Sequence, residues 1–236
     1  MKIKDSRILI TGGSSGIGKA AAKLLSDSGA KVAITGRDKE KLEKAAAETG
    51  SIAIHADVAV ESDVEKTYKE VMEKLGGLDC LVNNAGIGDF QTVDELTLDS
   101  FMKVYSVNVF GAAMMAKKAA EIFKKQMSGN IINIASTASL KGFARGTVYS
   151  SSKFALRGMT ECWQAELRPF NIRVMQVNPS EVPTAFGDPG RKEREGAPNK
   201  LTSMEIAHTI KAMLEMDDRG MIPEVTVWAS NPFTKK

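Results

Sequence analysis

This sequence predicts a single-domain α/β fold, doubly wound around one parallel seven-stranded sheet with helices on both faces. Two observations carry that reading. Short, continuously apolar runs alternate with amphipathic stretches from end to end, and no linker, repeat or shift in composition divides the 236 residues. Strands covered on both faces read as unbroken apolar runs rather than as alternation. Seven such runs stand at 7–11 (RILIT), 31–35 (KVAIT), 51–55 (SIAIH), 79–83 (DCLVN), 130–135 (NIINIA), 172–178 (IRVMQVN) and 225–229 (VTVWA). Between the first two, Ile17, Ala20, Ala21, Leu24 and Leu25 recur at helical spacing, and Gly29 ends the stripe. Asp38 reads as the N-cap of a helix beginning at Lys39. Val64, Tyr68, Val71, Met72 and Leu75 form the next stripe, closed by Gly76-Gly77, and longer helices are expected over 98–126, 150–168 and 203–216. Strands joined by crossover helices make a parallel sheet.

Composition narrows the function classes. At 43% hydrophobic residues the chain can build a large core, which excludes a disordered reading. The net charge of +3, from 32 basic and 29 acidic side chains spread evenly, argues against a nucleic-acid surface. Apolar runs such as 109–116 are about half of what a membrane span needs. The first residues, MKIKDSR, have no signal-peptide core, so a cytoplasmic location is expected. Cys80 and Cys162 are expected to be buried thiols, and only two histidines, His55 and His208, leave no histidine-rich metal site. The segment 179–200, with four prolines and three glycines, has no usable period; it reads as a lid over substrate, or as a solvated excursion.

Three places carry chemistry. The first strand runs into Thr11-Gly12-Gly13-Ser14-Ser15-Gly16-Ile17-Gly18, opening a helix. Glycines there let backbone approach a pyrophosphate whose charge the helix N-terminus attracts, which makes Gly12, Ser14, Ser15, Gly16, Ile17 and Gly18 candidate cofactor contacts. At the end of the second strand Gly36 leaves space where an acid would bind the ribose diol of NAD, and Arg37 offers a fork suited to the 2′-phosphate of NADP. Asp38 lies where the generic rule puts the NAD acid, and Arg37 as a plain surface charge is the competing reading. Finally, Tyr149 and Lys153 share one helical face at i, i+4. A neighbouring ammonium favours the phenolate and lowers a pKa that is otherwise about 10, so Tyr149 can exchange a proton with a substrate oxygen. Ser136, at the end of the fifth strand, is placed to orient that oxygen; Ser139 is the rival serine.

With these residues in view, the sequence resembles the short-chain dehydrogenases/reductases over essentially its whole length. Six motifs stand in order: TGGSSGIG at 11–18, Asp57-Val58, Asn83-Asn84-Ala85-Gly86, Asn108, Ser136 with Tyr149 and Lys153, and Asn178-Pro179. The resemblance implies a Rossmann-like fold binding NADP, with NAD as the lesser alternative. It implies Tyr149 as acid/base, Ser136 orienting the carbonyl, Lys153 holding the nicotinamide ribose, and Asn108 completing a water-linked proton relay at a break in its helix. It implies Asp57 and Val58 beside adenine, Asn83, Ala85 and Gly86 along the cofactor cleft, and Pro179, Val182 and Thr184 near the nicotinamide. Ser180 stands where the family has glycine, and the last strand, PEVTVWASNP, departs from the ending of tetrameric members. A homodimer through helices 98–126 and 150–168 is expected, with a homotetramer as the alternative.

The expected activity is NADP-dependent hydride transfer between nicotinamide and a carbonyl or secondary alcohol. One alternative is a 3-oxoacyl-[acyl-carrier-protein] reductase, with Arg145, Arg191, Lys192 and Arg194 as candidates to meet an acidic acyl carrier protein. The other is a catalytically idle nucleotide sensor of the same fold.

Overall fold

The computed structural model describes residues 1–186, 196 and 198–233. Seven parallel strands form one sheet in the order β3-β2-β1-β4-β5-β6-β7: β1 Arg7–Ile10, β2 Lys31–Gly36, β3 Ile52–His55, β4 Cys80–Asn83, β5 Gly129–Ile134, β6 Ile172–Pro179 and β7 Glu224–Val227. The order reverses between β1 and β4, and at such a switch point the loops leaving the strand ends diverge and open a crevice. Among the described residues seven α-helices cover the sheet: α1 Gly16–Asp27, α2 Lys39–Thr49, α3 Glu61–Leu75, α4 Leu98–Tyr105, α5 Ala112–Gln126, α6 Thr147–Leu167 and α7 Ser203–Glu215.

Successive strand residues point to opposite faces, so each strand feeds two cores. Ile8, Ile10, Val32 and Ile34 pack with Leu25 of α1, Leu42 of α2 and Ile210 of α7. Leu9, Ala33, Leu81 and Ile131 point the other way, towards Val71 of α3 and Phe123 of α5. Helix boundaries follow local chemistry. Asp38 caps α2 by accepting from the Lys41 amide at 3.0 Å, as its position predicts, and α2 ends at Gly50 with φ +68°. Thr202 and Glu205 close a capping box on α7.

The helix expected over 98–126 has the break expected at Asn108, in the form of a π segment, Ser106–Gly111. Two expectations need correction. Helix α6 begins at Thr147 rather than at 150, which places Tyr149 inside its first turn. Cys162 is exposed, whereas Cys80 on central β4 is buried; Thr160 and Leu167 already take the inward face of α6, and Cys162 falls outside that stripe. Of the segment 179–200, residues 187–195 and 197 lie outside the described part. Among the described residues no helix is long and apolar enough to cross a membrane, and no group of His, Cys, Asp or Glu is arranged to hold a metal ion.

Candidate active site

A cleft of about 1590 Å³ opens over the strand ends at the switch point. A single drug-sized ligand needs roughly 300–1,000 Å³, so the cleft has room for a dinucleotide and a second molecule. Its floor is the turn from β1 into α1. Gly12 and Gly16 adopt φ +66° and +54°, and a Cβ on Gly12 would stand 2.9 Å from the Ala85 Cα. Ser15 at the N-cap of α1 makes no side-chain capping bond, and the first turn has no acid. The first amides of a helix have no intrahelical partner and carry partial positive charge, so this end suits an anion such as a pyrophosphate. Ser14, Ser15, Gly16 and Ile17 all line the cleft, while Gly18 lies beneath it, packed so closely under the Gly12 carbonyl and the Asn84 amide that no Cβ fits.

Asn84, the second residue of the Asn83-Asn84-Ala85-Gly86 run, stitches the two sides of the switch point together. Its Nδ2 donates to the carbonyls of Thr11 at 2.9 Å and Gly12 at 3.0 Å, and Thr11 Oγ1 accepts from the amides of Asn84 and Ala85. Asn83 points instead into the helix layer, donating to Ala112 O and Asn133 Oδ1, both at 3.1 Å. It is absent from the cleft wall, which begins at Asn84 and continues through Ala85 and Gly86. Strand alternation explains the exchange: one residue further along reverses the face. Only the Asn-Asn doublet signals that one of the pair reaches the cleft.

Beyond β2 the wall carries Arg37, Lys41, Asp57 and Val58. Arg37 is half-exposed and 3.6 Å from Asp57, a loose surface pair that adds little stability. Lys41, in the first turn of α2, gives a second cation. At the far end Pro179, Val182 and Thr184 line the cleft, and a Cβ on Gly16 would touch the Thr184 methyl at 3.2 Å. Ser180, which stands where the family has glycine, donates its backbone amide to Val227 O at 2.9 Å.

The candidate catalytic groups meet between these ends. Tyr149 and Lys153 are both buried, and Lys153 Nζ lies 5.9 Å from the Tyr149 ring centre while donating to Ile134 O at 2.9 Å. Burial pushes the Tyr149 phenol up to about 12, and a hydrogen bond with the Ser136 hydroxyl works against it. Burial pulls the Lys153 ammonium down to about 8. The expected lowering of the phenol by the lysine is therefore not the dominant effect: desolvation disfavours the charged form of each. Ser136 Oγ also accepts from the Ala138 amide at 3.1 Å. Ser139, the rival, is fully buried and bonded to Ser136 O and Asn178 Oδ1, which makes it a structural residue. Asn108 is 1% exposed and does not line the cleft; its side chain grips the Ile87 backbone on both sides, donating to Ile87 O and accepting from Ile87 N at 2.9 Å each.

Of the basic residues considered for an acyl carrier protein, Arg145 is engaged with Glu95 at 3.6 Å and with Phe90 O at 3.2 Å. Arg191, Lys192 and Arg194 lie outside the described residues. The aromatic residues over Tyr149, namely Phe90, Phe143, Phe186 and Trp228, escape a reading by motif because they come from four separate loops.

The family described as short chain dehydrogenase matches residues 6–195. An uncharacterized oxidoreductase of Thermotoga maritima is 41% identical over 184 residues, 76% of this chain and 72% of that protein. Among solved structures, an alcohol dehydrogenase from the archaeon Thermococcus sibiricus complexed with 5-hydroxy-NADP superposes with a TM-score of 0.88 at 28% identity, covering 98% and 99% of the two chains. A 3-ketoacyl-(acyl-carrier-protein) reductase from Brucella melitensis complexed with NADH also gives 0.88 at 28% identity, covering 98% and 100%.

Proposed function

Because the chain belongs to the short-chain dehydrogenase family and is an NAD(P)-dependent oxidoreductase, we propose that it reduces a carbonyl to a secondary alcohol with NADP(H), using Tyr149 as the proton donor. The convergence of Tyr149, Ser136 and Lys153 in the cleft is the observation that carries this reading. The α1 N-terminus would hold the pyrophosphate, Asp57 and Val58 the adenine, Ala85 and Gly86 the middle of the cleft, and Pro179, Val182 and Thr184 the nicotinamide end. The bound nicotinamide supplies the hydride. Tyr149, whose phenol stays protonated at neutral pH, gives that proton to the carbonyl oxygen as negative charge develops there. The Ser136 hydroxyl orients the same oxygen, and the Lys153 ammonium stabilises the phenolate left behind until solvent returns a proton. Asn108 acts as a clamp on the Ile87 loop.

NADP is the preferred form in this reading, since Gly36 offers no acid to a ribose diol and Arg37 and Lys41 offer two cations to a phosphate. Exposed Leu98, Met102, Phe110 and Phe154 on α4, the π segment and α6 support a homodimer through those helices. Tyr149→Phe is expected to lower turnover by at least about 10²–10⁴-fold, the range of general acid catalysis, while NADPH affinity changes little. Retained activity in that variant, followed by NADPH absorbance, would place the acid elsewhere.

A further inference from the structure

The cleft above Tyr149 is walled by an arc of rings. Phe186 and Phe90 flank Tyr149 with ring centres 5.3 and 5.5 Å away, tilted by 57° and 60°, and Phe143 continues the arc at 6.2 Å from Phe90. Trp228 and Leu140 complete the rim. These are not core side chains. Phe143 is 50% and Trp228 65% exposed, apolar groups left facing a concavity, and such a patch marks a surface that takes an apolar partner.

The arc is held in place by the backbone. A Cβ on Gly88 would stand 2.9 Å from the Phe90 ring and 3.0 Å from Phe186, and one on Gly146 would stand 2.9 Å from Phe143. The rings lie against backbone that a side chain would block. The loops that carry Phe90 and Phe143 are pinned to each other by a bridge between Gln91 and Gly146, by Arg145 Nη2 donating to Phe90 O, and by the Arg145–Glu95 pair. Arg145 holds φ +66°, a strained conformation that persists only where the surroundings enforce it. Among the described residues, Glu181, paired with Lys200, and exposed Lys141 also line this cleft.

We propose that Phe90, Phe143, Phe186 and Trp228 form a substrate box selecting carbonyl compounds with a planar aromatic or fused-ring apolar group, with Arg145 as the residue that positions it. This rests on the oxidoreductase reading above. Ring faces and edges fit another ring in tilted or offset geometry, whereas a small aliphatic ketone leaves most of the apolar arc uncovered.

The test pairs binding with turnover. In the NADPH-loaded protein, 2-naphthol and butan-2-ol are compared as probes by tryptophan fluorescence, and 2-acetylnaphthalene and butanone as substrates by kcat/KM. A preference of about 100-fold for the naphthyl member of each pair is expected, in the range that apolar pockets achieve. Phe143→Ala should cut that preference about tenfold, mostly in KM, and Phe143→Trp should keep it. Arg145→Ala should lower it while leaving urea unfolding of the chain nearly unchanged. Equal affinity for the two alcohols, or a preference that Phe143→Ala does not move, overturns the box. A naphthol preference with no turnover of any carbonyl supports the box and instead refutes the oxidoreductase reading.

Discussion

Lys153→Met tests the electrostatics of the site through the stability of the chain. The substitution keeps the packed stem and removes a buried ammonium whose pKa is pulled from 10.5 to about 8. Between those values the unfolded chain holds a proton that the folded chain lacks, so stability rises with pH in that window. Below about 8 both states hold it, and the whole penalty is present. At 1.36 kcal/mol per unit it amounts to about 3 kcal/mol at neutral pH. Going from about pH 7 to about pH 9.5 should therefore return about 2 kcal/mol to the parent chain. Tyr149, raised from 10.0 to about 12, acts in the opposite sense but only above about 10, outside the window. The variant lacks the lysine and shares every other titrating group, so the difference between the two chains isolates this one. Urea unfolding across the range measures it: the parent should gain about 2 kcal/mol on the variant. Parallel curves would refute a desolvated Lys153 and, with it, the account of how the site holds its protons.

Two further outcomes follow from the same geometry. Arg37→Ala should raise KM for NADPH about 10- to 100-fold, the worth of one charge-assisted phosphate contact, and that for NADH by less than about threefold; equal effects in steady-state kinetics would remove the argument for NADP. A thiol reagent should label Cys162 in the native protein and reach Cys80 only after unfolding, because burial raises the Cys80 thiol far above the thiolate range. Two equivalents titrated under native conditions would contradict the packing of β4.

The sheet is legible because β1, β2, β4, β5 and β6 are largely buried on both faces and leave short unbroken apolar runs between helical stripes; the edge strands β3 and β7 are only partly buried. The cofactor floor was legible because a glycine-rich strand-to-helix turn answers a local steric demand at Gly12 and Gly16. What escaped the sequence depended on direction or on long-range packing. Asn83 and Asn84 are neighbours, and only the pleat decides which one reaches the cleft. Cys162 sits in an apolar context by sequence, yet the inward stripe of α6 passes it by. For Tyr149 and Lys153 the i, i+4 spacing shows that phenol and ammonium are close. It does not show burial, and burial turns out to be the larger influence on each. The ring arc is the extreme case: Phe90, Phe143, Phe186 and Trp228 share no spacing, and only the closed sheet brings their loops together.

Asn108 separates a structural role from a relay role. The π segment accommodates one more residue per turn than an α-helix, and at that irregularity Asn108 reaches Ile87 N, Ile87 O and Ser152 Oγ, the last at 3.0 Å. Ile87 is thereby held on both sides much as a neighbouring strand would hold it, in the loop that carries the Ala85-Gly86 wall of the cleft. Asn108→Leu matches the volume and deletes all three bonds, leaving the Ile87 amide and carbonyl without these partners. At about 1–3 kcal/mol for each buried group left unmatched, the loss should be about 3 kcal/mol in urea unfolding, and NADPH affinity should fall with it as the wall loosens. The side chain is fully committed to Ile87 and Ser152, so a proton relay through this helix would have to use backbone and water rather than the Asn108 amide. Turnover at saturating NADPH should accordingly fall less than affinity does. A variant that unfolds as the parent does but has lost turnover would reverse the assignment, making Asn108 a participant in proton transfer instead of a clamp.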